Sequence, residues 1–98
     1  MTFARIALFP EGTEDQHKVI VKGLGEGYEN APGRLLFAAG ATPEGWQIIQ
    51  IWESRDDMDR WVEDHLGKAF AQAGPRGYPN PPQIIDFDIA DLLLQPSK

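Results

Sequence analysis

Two histidines and no cysteine occur in this chain of 98 residues. His17 and His65 are therefore its candidates for proton transfer near neutral pH. Each falls on an apolar helical stripe. His17 precedes Ile20, Val21 and Leu24 at i, i+3, i+4 and i+7, and His65 shares a face with Met58, Trp61, Val62 and Leu66. If both stripes face one pocket, the two imidazoles share it with Trp61, Trp46 and Tyr78, and either could act as a base. A histidine near a helix end is more often a half-exposed or simply hydrogen-bonded group. The chain also has three tryptophans, two tyrosines and five phenylalanines. Trp61, Phe37, Trp46, Tyr78 and Phe70 suit a pocket for a planar apolar ligand, although aromatics at this periodicity also build ordinary cores.

Other chemistries lack their residues. No second histidine stands three or four positions from His17 or His65, so the two-histidine metal motif is missing and no metal site is expected. Gly23, Gly25 and Gly27 follow a helix and do not lead from a strand into one, which is not the setting of a phosphate loop. Ser54 is explained as a helix cap, and Ser97 lies near the C-terminus, so neither is a nucleophile. Glu53, Asp56, Asp57, Asp59, Glu63 and Asp64 fall mostly opposite the apolar stripe and read as caps and a solvated face. No complete catalytic set is present, and no cofactor is expected.

The elements that position these residues follow from pattern and punctuation. Phe3 to Phe9 is a strand stopped by Pro10-Glu11-Gly12. Thr13-Glu14-Asp15-Gln16 has the form of a capping box, opening a helix that ends among Gly23, Gly25 and Gly27. Arg34 to Ala39 and Trp46 to Glu53 are strands joined across a Gly40–Gly45 loop, hence a hairpin. Ser54-Arg55-Asp56-Asp57 caps a second helix, which Gly67 bends or interrupts and Gly74-Pro75 ends. Arg76 to Pro82 is an irregular loop, and Ile84 to Ile89 is a fourth strand. Asp91 to Leu94 extends or caps that strand, and residues 95–98 form a frayed tail. Residues 1–94 are read as one domain.

The order strand–helix–strand–strand–helix–strand predicts a ferredoxin-like α+β fold, one antiparallel sheet with both helices on one face. Its middle strands are apolar on both sides. Trp46, Ile48 and Trp52 oppose Ile49 and Ile51, while Leu35 and Phe37 oppose Leu36 and Ala38. A sheet with one solvated face should alternate cleanly. Leaving such side chains bare costs roughly 1.5–3 kcal/mol each relative to burial. A homodimer through the sheet face is therefore expected, the alternative being cover from the chain's own loops and tail.

Composition is that of an ordinary globular protein, with 42% hydrophobic and 24% charged residues. A net charge of −6 and scattered basic residues argue against nucleic acid as a partner. Neither a signal peptide nor a membrane-spanning run is apparent, so a cytoplasmic protein is expected.

Gly45-Trp46-Gln47-Ile48-Ile49-Gln50-Ile51-Trp52-Glu53-Ser54, followed by Met58, Trp61 and Leu66-Gly67-Lys68-Ala69, resembles the dimeric α/β-barrel proteins of the antibiotic biosynthesis monooxygenase-like superfamily. Within it the chain is similar to uncharacterised proteins with a GW…VWES signature. The resemblance spans nearly the whole chain. It implies a sheet-to-sheet homodimer with a small pocket between sheet and helices, beside Trp61. Superfamily activities include cofactor-independent oxygenation of aromatic polyketides, haem degradation and lactone isomerisation, so the fold alone names none of them. Phe37 stands where many signature-bearing relatives have a histidine, which removes a candidate base. Haem-degrading members carry a tryptophan matched by Trp61, but their iron-binding histidine is Ala71 here. Their first-strand asparagine has no counterpart between Phe3 and Phe9.

Two functions fit these residues. The first is a small-molecule-binding homodimer with an aromatic-lined pocket and no required turnover. The second is a cofactor-independent monooxygenase or isomerase acting on a small aromatic or polyketide-like substrate.

Overall fold

Residues 2–95 are described by the computed structural model. Strand β1 (Phe3–Pro10) is mostly apolar and lies inside a sheet of order β2-β3-β1-β4, in which every pair is antiparallel. Helix α1 (Glu14–Leu24) opens with the capping box. The Thr13 hydroxyl accepts from the Gln16 N–H at 3.2 Å, and Gln16 Oε1 accepts from the Thr13 N–H at 2.9 Å. Gly25, at φ 57°, ends the helix in a conformation that suits glycine. A 3₁₀ turn (Gly25–Tyr28) leads on toward β2 (Arg34–Thr42).

Strands β2 and β3 (Gly45–Trp52) form the hairpin, but the Gly40–Gly45 loop is tighter than the sequence predicts. β2 runs on to Thr42, leaving only Pro43 and Glu44 between the strands. Thr42 Oγ1 makes the shorter turn possible by accepting from the N–H groups of Glu44 and Gly45, each at 3.2 Å. A bulge between Arg34 and Leu36 breaks the alternation of β2, which leaves Leu35 43% exposed.

The second helical segment comprises α2 (Arg55–Trp61), a wide π turn (Val62–Leu66) and α3 (Gly67–Ala73). Ser54 Oγ caps it by accepting from the Asp57 N–H at 3.1 Å. The interruption that the sequence places at Gly67 is this π turn, closed by the Gly67 N–H donating to the Val62 carbonyl. The wider turn changes the helical phase. Val62 and Leu66 still pack on the core, while His65, assigned by 3.6-residue periodicity to the same stripe, is exposed. A second 3₁₀ turn (Gly74–Arg76) and an irregular stretch lead to β4 (Gln83–Asp88).

Phe3, Trp52, Met58 and Trp61 centre the core with Ile20, Leu24, Ala69 and Ala73, between sheet and helices. α1 approaches α3 closely at Gly23, where an added methyl carbon would stand 3.3 Å from Ala69 Cβ. The sheet's opposite face is apolar and, among the described residues, lacks a covering layer. Ile85 and Phe87 are 61% and 48% exposed there, paired in register with Ile6 and Ala4. In β4 the acidic Asp86 turns toward the helices because Arg5, its partner across the sheet, meets it on that side. Asp91 to Leu94 neither extend nor cap β4; they form no strand, and Leu92, Leu93 and Leu94 are exposed. The predicted tail (95–98) lies outside the described residues except for Gln95. The architecture is the βαββαβ ferredoxin-like α+β fold.

Candidate functional site

Between the sheet and the helices lies a cavity of about 230 Å³. α1 presents its whole apolar stripe to it: His17, Ile20, Val21 and Leu24. The second helical segment contributes Trp61, Val62, Leu66 and Phe70, and the loop before β4 adds Tyr78 and Pro82. The floor is sheet, with Ala7 from β1, Phe37 from β2, Ile48 and Gln50 from β3, and Ile84 from β4.

His17 is the one histidine on this wall. Its ring lies 5.1 Å from Trp46 and 6.1 Å from Phe37, and its Nδ1 is 3.2 Å from the Tyr78 hydroxyl. Burial pushes its pKa below the ordinary histidine value, and nearby Glu14 opposes that shift only in part. Tyr78 stacks on Phe9 with ring centres 4.0 Å apart, and burial pushes its phenol pKa upward. In a neutral imidazole either Nδ1 accepts the Tyr78 proton, or Nδ1–H donates to the Tyr78 oxygen and leaves Nε2 as a proton acceptor.

Trp61 is held by its indole N–H, which donates to the Gly27 carbonyl at 2.8 Å. Behind Trp61 and Phe37 the Arg34 guanidinium lies 5.3 and 5.0 Å from their ring centres, and it also donates to the Tyr28 carbonyl. At the β4 side, Arg5 binds Asp86 through two bonds of 2.8 Å. This pairing holds the Asp86 carboxyl below its usual range and raises the Arg5 value.

The structure brings together Trp61, His17, Phe37, Tyr78 and Phe70 around one cavity. It does not bring in the other two residues singled out from the sequence. His65 packs from outside against Gly27, where an added methyl carbon would lie 2.8 Å from its Nδ1. Trp46 is buried behind His17 and does not form the wall. Gln50 was not singled out at all. It is 5% exposed, and its Oε1 is buried without a hydrogen-bond partner among the described residues. A signal existed, because Gln50 is the one polar residue in the row Trp46, Ile48, Gln50 and Trp52. Gly27, which anchors Trp61, carries no such sign.

Chemically, the site can enclose an apolar molecule, offer it a carboxamide and exchange a proton through His17. Among the described residues, no group of three His, Cys, Asp or Glu side chains could hold a metal ion, and no helix is long and apolar enough to cross a membrane.

No protein-family model matches the chain, and no curated protein matches it. Solved structures do. A protein from Chloroflexus aurantiacus provisionally named an antibiotic biosynthesis monooxygenase superposes with a TM-score of 0.70 at 16% identity, covering 95% of this chain and 97% of its own. One from Caulobacter crescentus with the same provisional name gives 0.69 at 20% identity, covering 92% and 90%. A dimeric ferredoxin-like protein of unknown function from Thermobifida fusca gives 0.66 at 20% identity, covering 91% and 92%. The resemblance drawn from Gly45 to Ser54 therefore holds at the level of the fold, which this chain shares with antibiotic biosynthesis monooxygenase-like proteins. Identities this low carry no activity across.

Proposed function

We propose that the protein is a cytoplasmic homodimer whose subunits each bind a small, ring-bearing apolar molecule in the cavity between sheet and helices. The observation that carries this reading is the cavity itself, about 230 Å³ of partly enclosed space with largely aliphatic and aromatic walls. A cavity of about 150 Å³ with similar walls holds benzene. This one suits a substituted single ring or a compact two-ring molecule. Dimerisation is supported by the bare apolar sheet face and by the neighbour described as dimeric.

His17 favours a second reading, a cofactor-independent monooxygenase or isomerase acting on a small aromatic or polyketide-like substrate. A neutral imidazole in an apolar chamber is a competent proton acceptor. Calorimetric titration with one- and two-ring aromatics tests the first reading. Binding is expected in the wild type and is expected to be lost in Ala7→Leu, because Ala7 lies on the floor and a leucine there fills the space. A folded wild type that binds none of the set overturns it. Oxygen uptake or isomerised product with a bound aromatic, lost in His17→Phe, would establish the second reading.

A further inference from the structure

Given that the cavity is a binding site, we propose that Gln50 determines its specificity by selecting neutral rings that carry a hydroxyl group. Gln50 is the only polar or charged residue among the described residues that is fully buried, at 5% exposure. It sits on the sheet floor of a largely apolar cavity whose other polar groups, Arg5, His17 and Tyr78, are already paired, in register with Arg5 on one side and Phe37 on the other.

Neither neighbour satisfies it. Arg5 commits Nε and Nη2 to Asp86, and Phe37 has no donor. The Oε1 atom is left buried and unpaired. Such an atom has lost its hydration without compensation. Arg34 Nη1, Trp46 Nε1 and Trp52 Nε1 are also buried and unpaired among the described residues, but of the four residues only Gln50 lines the cavity. Oε1 is shut off from the cavity in the empty site, so a turn of the side chain about its last torsion must bring it to the cavity surface, where a ring hydroxyl supplies the missing partner. A hydroxyl both donates and accepts, so it pairs with Oε1 or, if the amide is turned over, with the N–H groups. An anionic ring is disfavoured, because the one guanidinium on the wall is already neutralised by Asp86.

Para-cresol and para-xylene have nearly the same shape and differ by a hydroxyl in place of a methyl, which makes them suitable probes. Titrated calorimetrically, the wild type is expected to bind para-cresol about tenfold more tightly than para-xylene. Gln50→Leu and Gln50→Met should erase or reverse that preference while retaining para-xylene binding. Both should also melt at higher temperature than the wild type without ligand, because the unpaired group is gone. If both probes bind and the ratio is the same in the variants as in the wild type, Gln50 is not the selector and the cavity reading stands. If neither probe binds the wild type, the cavity reading itself fails, and this inference with it.

Discussion

His17 shows most clearly how surroundings set a side chain's chemistry. An imidazole in water is half charged near pH 6.5. Here burial against Trp46 and Phe37 disfavours the cation. The folded pKa is lowered, so the unfolded chain binds more protons through this window. The stabilising contribution is complete above the unfolded value and is lost as the pH falls through the lowered folded one. We predict that the urea midpoint of the wild type falls between pH 7 and pH 5, and that His17→Phe flattens this dependence. An identical slope in the variant would place the titration elsewhere. The Arg5–Asp86 pair does not confuse the experiment, because the lowered Asp86 value confines its effect to below the ordinary carboxylate range. At this scale the sequence was partly legible. Aromatics at strand and helix spacing were visible as a group, since periodicity reveals which side chains share a face. Gln50 went unread because the apolar run around it hid a single polar break.

The elements hold these residues through a few positions with little freedom. Gly45 starts β3 at φ 152°, and a methyl carbon there would lie 2.1 Å from the Phe9 carbonyl oxygen on β1. Gly45→Ala must therefore separate the central strands, and we predict a loss of about 2–4 kcal/mol in chemical denaturation. A loss under about 0.5 kcal/mol would show that the hairpin tolerates the shift. The π turn at Val62–Leu66 is the other such position. The caps at Thr13 and Ser54 could be read from sequence because capping depends on residue type at fixed offsets. The π turn could not, because a wide turn leaves no compositional mark and 3.6-residue counting carries His65 onto the wrong face. The shortened hairpin escaped for a related reason. Gly40 and Ala41 look like loop residues, yet β2 continues through both to Thr42.

At the scale of the molecule, helices cover one side of the sheet and leave the other apolar and bare. Leu36, Ile49, Ile51, Ile85 and Phe87 share this second face through the observed register. The two-sided apolar character of the middle strands pointed to this from sequence, since alternation reports how many faces need cover. We predict that sedimentation equilibrium gives about twice the 10.9 kDa chain mass, and that adding Ile85→Lys and Phe87→Lys together shifts the protein to monomer. A wild type sedimenting as a single chain at micromolar concentration would contradict the pairing. The cavity and, in a protein that stays monomeric, the second face are the two places where an apolar probe could lodge. Methyl-resolved NMR with para-cresol separates them and tests the central claim most directly. Our account predicts ligand contacts to the methyl groups of Val21, Leu24, Val62 and Leu66 on the cavity wall. Contacts confined to Leu36, Ile49, Ile51 and Ile85 on the open face would contradict it.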